Sequence, residues 1–249
     1  MELARFFQEN PRCALAFSGG VDSAYLLYAA VTGGAKLRAY YVQTPFQPAF
    51  EYEDARRMAQ QLGVELEVIS LNVLADSAIT ANPADRCYFC KRRIFTAIWE
   101  RARADGFPLV LDGTNASDQV SDRPGMRALR ELGVRSPLRE AGLSKQEIRR
   151  LSAEAGLFTH NKPAYACLAT RIPTGTAITA QKLKITELGE EYLKGLGFSD
   201  FRIRLLGDGA RIQLRHEQLP LLLERREEIL SELKKYYSAV LLDLEARNG

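Results

Sequence analysis

Ser18-Gly19-Gly20-Val21-Asp22-Ser23 stands between a short apolar run, Ala14 to Phe17, and a stretch of helical spacing, Asp22 to Val31. The run suits a buried strand, and Leu26, Leu27, Ala30 and Val31 supply the inner face of the helix. A strand that ends in a Gly-rich turn and feeds a helix leaves backbone N–H groups free at the positive end of the helix dipole. That is an anion site by construction. Gly19 and Gly20 let the backbone approach an anion closely, while Ser18 and Ser23 add hydroxyl donors. A plain strand-to-helix turn capped by Ser23 would have similar composition. Its place at the end of the first strand of an alternating series favours a ligand, because α/β sheets bind at their carboxyl edge.

The alternation continues outward. Leu37 to Val42 and Leu66 to Leu71 read as strands, Ala49 to Leu62 and Lys91 to Ala104 as helices, and Leu109 to Leu111 as a fourth strand. Short links between such elements predict an α/β fold, a parallel sheet covered by helices on both faces. Ser144 opens a further helix, with Glu147 completing a capping box and Gly156 ending it. Phe158 to Gly175 is then punctuated by Pro163, Pro173 and Gly175, too long for an ordinary link. Beyond it come a helix (Thr179 to Leu196), two strands (Phe201 to Leu206, Ala210 to Leu214), a helix (Leu219 to Tyr236) and a strand (Ala239 to Leu244). The expected domains are 1–157, a linker 158–178 carrying Cys167, and a small C-terminal α+β unit, 179–249.

Composition narrows the classes. With 46% apolar and 26% charged residues the chain reads as an ordinary globular protein. A net charge of +3, spread along the chain, makes no case for nucleic acid as the partner but suits anionic small molecules. No apolar run reaches the roughly 20 residues of a membrane span. The first twelve residues carry Glu2, Arg5, Glu9 and Arg12 and lack a signal-peptide core, so a cytoplasmic location is expected. In that reducing setting Cys87, Cys90 and Cys167 point to metal or redox chemistry, and Cys13 to a buried place in the first strand.

Asp22 inside an anion-binding loop would repel phosphate unless a divalent cation lay between them, which assigns it to Mg²⁺. The loop lacks a Gly-Lys-Ser/Thr ending, which argues against an enzyme transferring the terminal phosphoryl group. Ser18 to Ser23 resembles the PP-loop signature of ATP pyrophosphatases, which split ATP between the α and β phosphates. Three further stretches narrow the resemblance. They are Asn82-Pro83-Ala84-Asp85-Arg86-Cys87-Tyr88-Phe89-Cys90-Lys91, Asp112-Gly113-Thr114-Asn115-Ala116-Ser117-Asp118 through Asp122-Arg123-Pro124-Gly125, and Lys162-Pro163-Ala164-Tyr165-Ala166-Cys167-Leu168-Ala169-Thr170-Arg171-Ile172-Pro173. With the Ser136-Pro137-Leu138 turn they resemble the LarE family of ATP-dependent sulfur transferases along most of the chain. The resemblance implies adenylation of a pyridinium-3,5-dicarboxylate mononucleotide and replacement of the acyl-adenylate by sulfur, a step toward a nickel-pincer cofactor.

Thr114, Asn115, Asp118, Asp122 and Arg123 follow a strand, so they project at the same sheet edge, where Thr114 and Asn115 can meet the nucleotide and Asp118 a metal. A capped, solvated loop is the alternative there. Cys87 and Cys90 lie three apart at a helix start, where the helix end and Arg86, Lys91, Arg92 and Arg93 favour the thiolate. The pair alone also fits a redox couple; a zinc site would need ligands that only Cys13, Cys167 and two scattered histidines offer. Three thiolates can hold a [4Fe–4S] cluster with one iron open to sulfide, and the resemblance implies this for family members with all three cysteines. Other members sacrifice the sulfur of the cysteine at the position of Cys167. A PP-loop tRNA thiolase and a non-catalytic iron–sulfur protein are the competing functions. Lys91 and Arg171 flank the cysteines as candidate anchors for negative charge, and Arg202, Arg204 and Arg211 sit on paired strands. Alternation puts Arg202 and Arg204 on one face, able to grip a phosphate or simply form a basic sheet face. His160 and His216 read as structural or solvent-facing. Sulfide or another sulfur donor and a homo-oligomeric state are the expected partners.

Overall fold

A computed structural model describes residues 3–118 and 124–247. The chain forms two compact units, each built from separated stretches: Met1–Val73 with Asp85–Lys162, and Leu74–Ala84 with Pro163–Gly249. The stretch 158–178, read from sequence as one linker, is therefore divided at Lys162. The contribution of Leu74–Ala84 to the second unit carries no signal in the apolar periodicity.

The first unit holds β1 (Arg12–Ala16), β2 (Lys36–Gln43), β3 (Leu66–Ser70) and β4 (Val110–Leu111), ordered β3-β2-β1-β4 and all parallel. Successive side chains of a strand point to opposite faces, and both faces here are covered. Cys13, Leu15 and Tyr41 join Phe6, Leu26, Leu27, Met58 and Ile148, residues of the helices Leu3–Glu9, Val21–Thr32, Ala49–Gln61 and Lys145–Glu154. Ala14, Tyr40 and Val42 meet Phe95, Ile98, Met126 and Leu129 from the helices Arg86–Ala104 and Pro124–Glu131. This is the parallel α/β sheet expected from the alternation, and full burial of each large apolar side chain contributes roughly 2 kcal/mol. The carboxyl ends of β1 and β4 lead directly into the loops that carry the candidate site.

The second unit pairs β5 (Arg202–Leu206) antiparallel with β6 (Gly209–Gln213), and β7 (Val240–Leu242) parallel with β6. Helix Ala180–Gly195 begins at Thr179, whose side chain accepts from Lys182 N, and packs on this sheet at Gly189. A Cβ there would lie 2.9 Å from Ile203 Cδ1. The helix expected over Leu219 to Tyr236 is two, Leu219–Glu224 and Arg226–Leu233, with the break at Arg225. Asn82 is the hub of the borrowed segment. Held at φ 55 and 1% exposed, it donates from Nδ2 to the carbonyls of Ile172, Pro173 and Thr176, while its own carbonyl accepts from Gly175 N.

Candidate active site

The turn after β1 is shaped for close approach. Gly19 has φ 71, and a Cβ on it would lie 2.9 Å from Ala55 N, so conformation and packing both demand glycine. Gly20 caps the 12-residue helix Val21–Thr32 without a side-chain hydrogen bond, which leaves the first-turn N–H groups to a ligand. Ser18 Oγ and Ser23 Oγ lie 3.1 Å apart, and Ser23 Oγ donates to Gly20 O at 3.2 Å. Lys162 Nζ donates to Gly19 O at 3.2 Å and pairs with Asp54 at 2.7 Å. Because the peptide is trans, a Gly19 carbonyl held by Lys162 aims the Gly20 N–H the opposite way.

The loop after β4 closes on this turn. A Cβ on Gly113 would lie 3.0 Å from Ser23 N, so the second loop approaches the phosphate turn through another glycine. Asp112, 5% exposed, accepts from Thr114 Oγ1 and Ser136 Oγ, both at 2.5 Å, which locks the start of the loop. Asn115 joins the two expected metal ligands: its Nδ2 donates to Asp22 Oδ1 at 3.3 Å and its backbone N to Asp118 Oδ2 at 3.0 Å. The other oxygen of Asp22 is held by Lys145 Nζ at 2.5 Å. Asp22 and Asp118 thus offer oxygen donors that fit a hard divalent cation, ordinarily held by one or two carboxylates and the substrate phosphates. Among the described residues no three His, Cys, Asp or Glu side chains form a metal-binding group. Asp122 and Arg123 lie outside the described residues.

These loops line a cavity of about 590 Å³ within the first unit, to which Ser18, Gly20, Asp22, Ser23, Thr114 and Asp118 all contribute. Cys87 and Lys91 line the same cavity. Helix Arg86–Ala104 starts five residues earlier than its apolar spacing indicates, so Cys87 and Cys90 fall inside its first turns and, three apart, on one face. Cys87 is exposed and lies 3.9 Å from the donating Nη2 of Arg86. Tyr88 fixes the turn from its other side, donating to Glu131 at 2.7 Å beneath the Arg127 guanidinium. Two thiols are therefore present on one helix face.

Cys167 belongs to the second unit, where a buried polar cluster fixes its loop. Arg171, 1% exposed, binds Glu190 through Nε (2.8 Å) and Nη2 (3.0 Å). Its Nη1 donates to the carbonyls of Ala166 and Cys167 and to Thr170 Oγ1. Glu190 also accepts from Tyr165 O–H at 2.6 Å and Ile203 N–H at 2.9 Å. Burial, with the Glu190 charge behind it, holds the Tyr165 phenol above its ordinary value. Arg202 and Arg204 share a face as alternation requires, but here both guanidinium groups bind inward. Arg202 donates to Ala164 O and Phe201 O, Arg204 to Thr170 O and Gln213. Burial, and then the charges of Arg171 and Arg247, push Arg202 down to about 10. Arg171 likewise serves the Cys167 loop rather than standing as an open anion anchor.

Pyridinium-3,5-bisthiocarboxylic acid mononucleotide synthase of Lactiplantibacillus plantarum is 34% identical over 214 residues, covering 85% of this chain and 78% of that protein. The chain belongs to the LarE family. It is an ATP-dependent, sulfur-transferring enzyme of the PP-loop class. A second relative, the uncharacterized protein slr1717 of Synechocystis sp., is 40% identical over 219 residues, 87% of this chain and 81% of its own. The tRNA-specific 2-thiouridylase MnmA of Thermotoga neapolitana is 26% identical over 196 residues, 61% and 54% of the two chains. The sequence model of the family described as queuosine biosynthesis protein QueC matches residues 12–88, the stretch from β1 through the phosphate turn to Cys87.

Sequence reasoning assigned no role to Lys145, Lys162 or Asp112. Each acts through a contact across many residues, which no local pattern reveals; only the Ser144 capping box, present here with Glu147, hinted that Lys145 is held rigidly at its backbone. Cys13 is buried in β1 as expected, and burial pushes its thiol up to about 12. His160 Nδ1 meets Leu157 O at 2.9 Å, a structural use, while His216 is exposed. No helix among the described residues is long and apolar enough to cross a membrane.

Proposed function

We propose that this LarE-family enzyme adenylates the carboxylates of a pyridinium-3,5-dicarboxylate mononucleotide and converts them to thiocarboxylates, the precursor chemistry of a nickel-pincer cofactor. The observation that carries it is the shared cavity: Cys87 lines the same space as Ser18, Gly20, Asp22 and Ser23. A substrate carboxylate oxygen attacks the α-phosphorus, the bond from that phosphorus to the β-bridging oxygen breaks, and pyrophosphate leaves. Free N–H groups of the Val21–Thr32 helix and the Ser18 and Ser23 hydroxyls stabilise the charge on the departing phosphates. Asp22 and Asp118 would hold Mg²⁺, which would offset phosphate charge, and Thr114 and Asn115 would border the nucleotide. A sulfur nucleophile then adds to the acyl carbon, the carbon–oxygen bond to AMP breaks, and the thiocarboxylate forms.

Cys87, Cys90 and Cys167 hold a [4Fe–4S] cluster in this proposal. When bound, the cluster would supply an iron without a protein ligand that could take up external sulfide. The position of Cys87 at the wall of the cavity supports that reading, and within the second unit the Arg171–Glu190 clamp fixes the loop that carries Cys167. The substrate is a small molecule, with no nucleic acid or membrane partner, and the enzyme acts in the cytoplasm as a homo-oligomer. Anaerobic purification with iron and sulfide analysis, comparing wild type with Cys87→Ser, tests the cluster. An iron-free wild type that turns over once and loses the Cys167 sulfur would instead make Cys167 the sacrificial donor. The activation step predicts AMP and pyrophosphate, and ADP as product would sink it.

A further inference from the structure

The strongest unassigned feature is the contact between Lys145 and Asp22, which sits on the phosphate turn yet joins residues 123 apart in sequence. Asp22 lies in the first turn of the Val21–Thr32 helix, where its charge would oppose an incoming polyphosphate. Lys145 cancels that charge. Its backbone is fixed as the first residue of a helix with a full capping box, and its N–H donates to Ser117 Oγ at 2.9 Å. Only the four-carbon stem is therefore left to move. The two side chains are 32% and 22% exposed, so the pair is wetted and exchangeable rather than sealed. Asp22 has a second tie, to Asn115, which also holds Asp118. The carboxylate can thus stay oriented when the lysine leaves. The other cations of the turn are engaged or distant in role: Lys162 is bound to Asp54 and Gly19 O, and Lys91 packs its stem against Gly125.

We propose that Lys145 is an exchangeable counter-ion and positioning residue for Asp22. While no metal is bound, the ammonium neutralises Asp22 and lets the phosphates of ATP enter the turn. A divalent cation that reaches Asp22 displaces the ammonium, which swings out toward solvent. Metal and Lys145 compete for one carboxylate, and nucleotide binding does not wait for metal. This rests on the nucleotide reading of the turn given above.

Calorimetric titration of the purified full chain with ATP, in EDTA and in Mg²⁺, separates the two. In Lys145→Met the affinity for metal-free ATP falls by about tenfold or more, the scale of a lost charged hydrogen bond. Affinity for Mg-ATP falls much less, so the ratio between the two buffers widens; Lys145→Arg restores it. Without nucleotide, Mn²⁺ titration followed by electron paramagnetic resonance shows tighter binding to Lys145→Met than to wild type, because the competitor is gone. An equal loss of ATP affinity in both buffers, or unchanged or weaker Mn²⁺ binding in Lys145→Met, overturns the exchange and leaves the nucleotide site intact. Wild-type protein that binds ATP in neither buffer overturns the nucleotide reading itself, and the exchange with it.

Discussion

Replacing Arg171 with Met isolates the energetic role of the clamp on the Cys167 loop. In the native protein Glu190 is 6% exposed and receives Arg171 Nε and Nη2, Tyr165 O–H and Ile203 N–H. Met fills similar volume but removes the directly bound countercharge, so a buried carboxylate keeps two neutral donors and only the more distant charges of Arg202 and Arg204. Breaking one partner of a buried pair costs about 3–5 kcal/mol, a large share of the 5–15 kcal/mol by which domains are ordinarily stable. The Arg171 bonds to the carbonyls of Ala166 and Cys167 go as well, though Thr170 still donates to the latter, so the loop loosens before the unit unfolds. Urea unfolding followed by circular dichroism reads the first effect. Hydrogen exchange resolved by mass spectrometry over 163–171 reads the second, as faster exchange below the unfolding transition. Adding Glu190→Gln removes the stranded charge, keeps an amide oxygen to accept from Ile203 N–H and turns an amide N–H toward the Tyr165 hydroxyl oxygen, and returns about 1 kcal/mol or more of the loss. A loss below about 1 kcal/mol for Arg171→Met, or a double variant no better than the single, would refute the clamp.

Two further outcomes follow from the site. Gly19→Ala forces a side chain into a left-handed conformation that costs roughly 1–2 kcal/mol and against Ala55 at 2.9 Å; calorimetry should show ATP binding lost, and affinity within twofold of wild type counts against the turn as the phosphate site. Cys13, fully buried with its thiol pushed up to about 12, stays unmodified when the folded protein, stripped of iron by a chelator, meets iodoacetamide at about pH 8, where exposed Cys87 reacts; peptide mapping that finds Cys13 alkylated contradicts the packing of β1.

What was legible in the sequence was local. The Gly19–Gly20 turn, the Ser144–Glu147 box and the strand alternation of the first unit are written in neighbouring residues, and the structure keeps each. Apolar spacing alone began the cysteine helix at Lys91, because Arg86 to Cys90 carry no apolar repeat and Asp85 makes no side-chain cap, although the cysteine pair was rightly placed at a helix start. The break at Arg225 has no glycine or proline to mark it. Alternation correctly put Arg202 and Arg204 on one face, but what that face meets is decided by the carbonyls of Ala164 and Thr170, more than thirty residues away. Lys145 belongs to the same class: a charged residue at a helix start looks solvated until the fold brings Asp22 to it.

The borrowed segment Leu74–Ala84 has a consequence for how this chain is made. The second unit needs Asn82 to tie the carbonyls of Ile172, Pro173 and Thr176, yet the ribosome releases Asn82 before any of 85–162 and long before its partners. Those eleven residues must wait, unpacked, while the first unit assembles around the gap they leave in its sequence. Nor does a cut at Lys162 yield the second unit whole. Residues 163–249 synthesised alone lack the hub that satisfies their loop, and a faithful small version has to carry 74–84 spliced onto it.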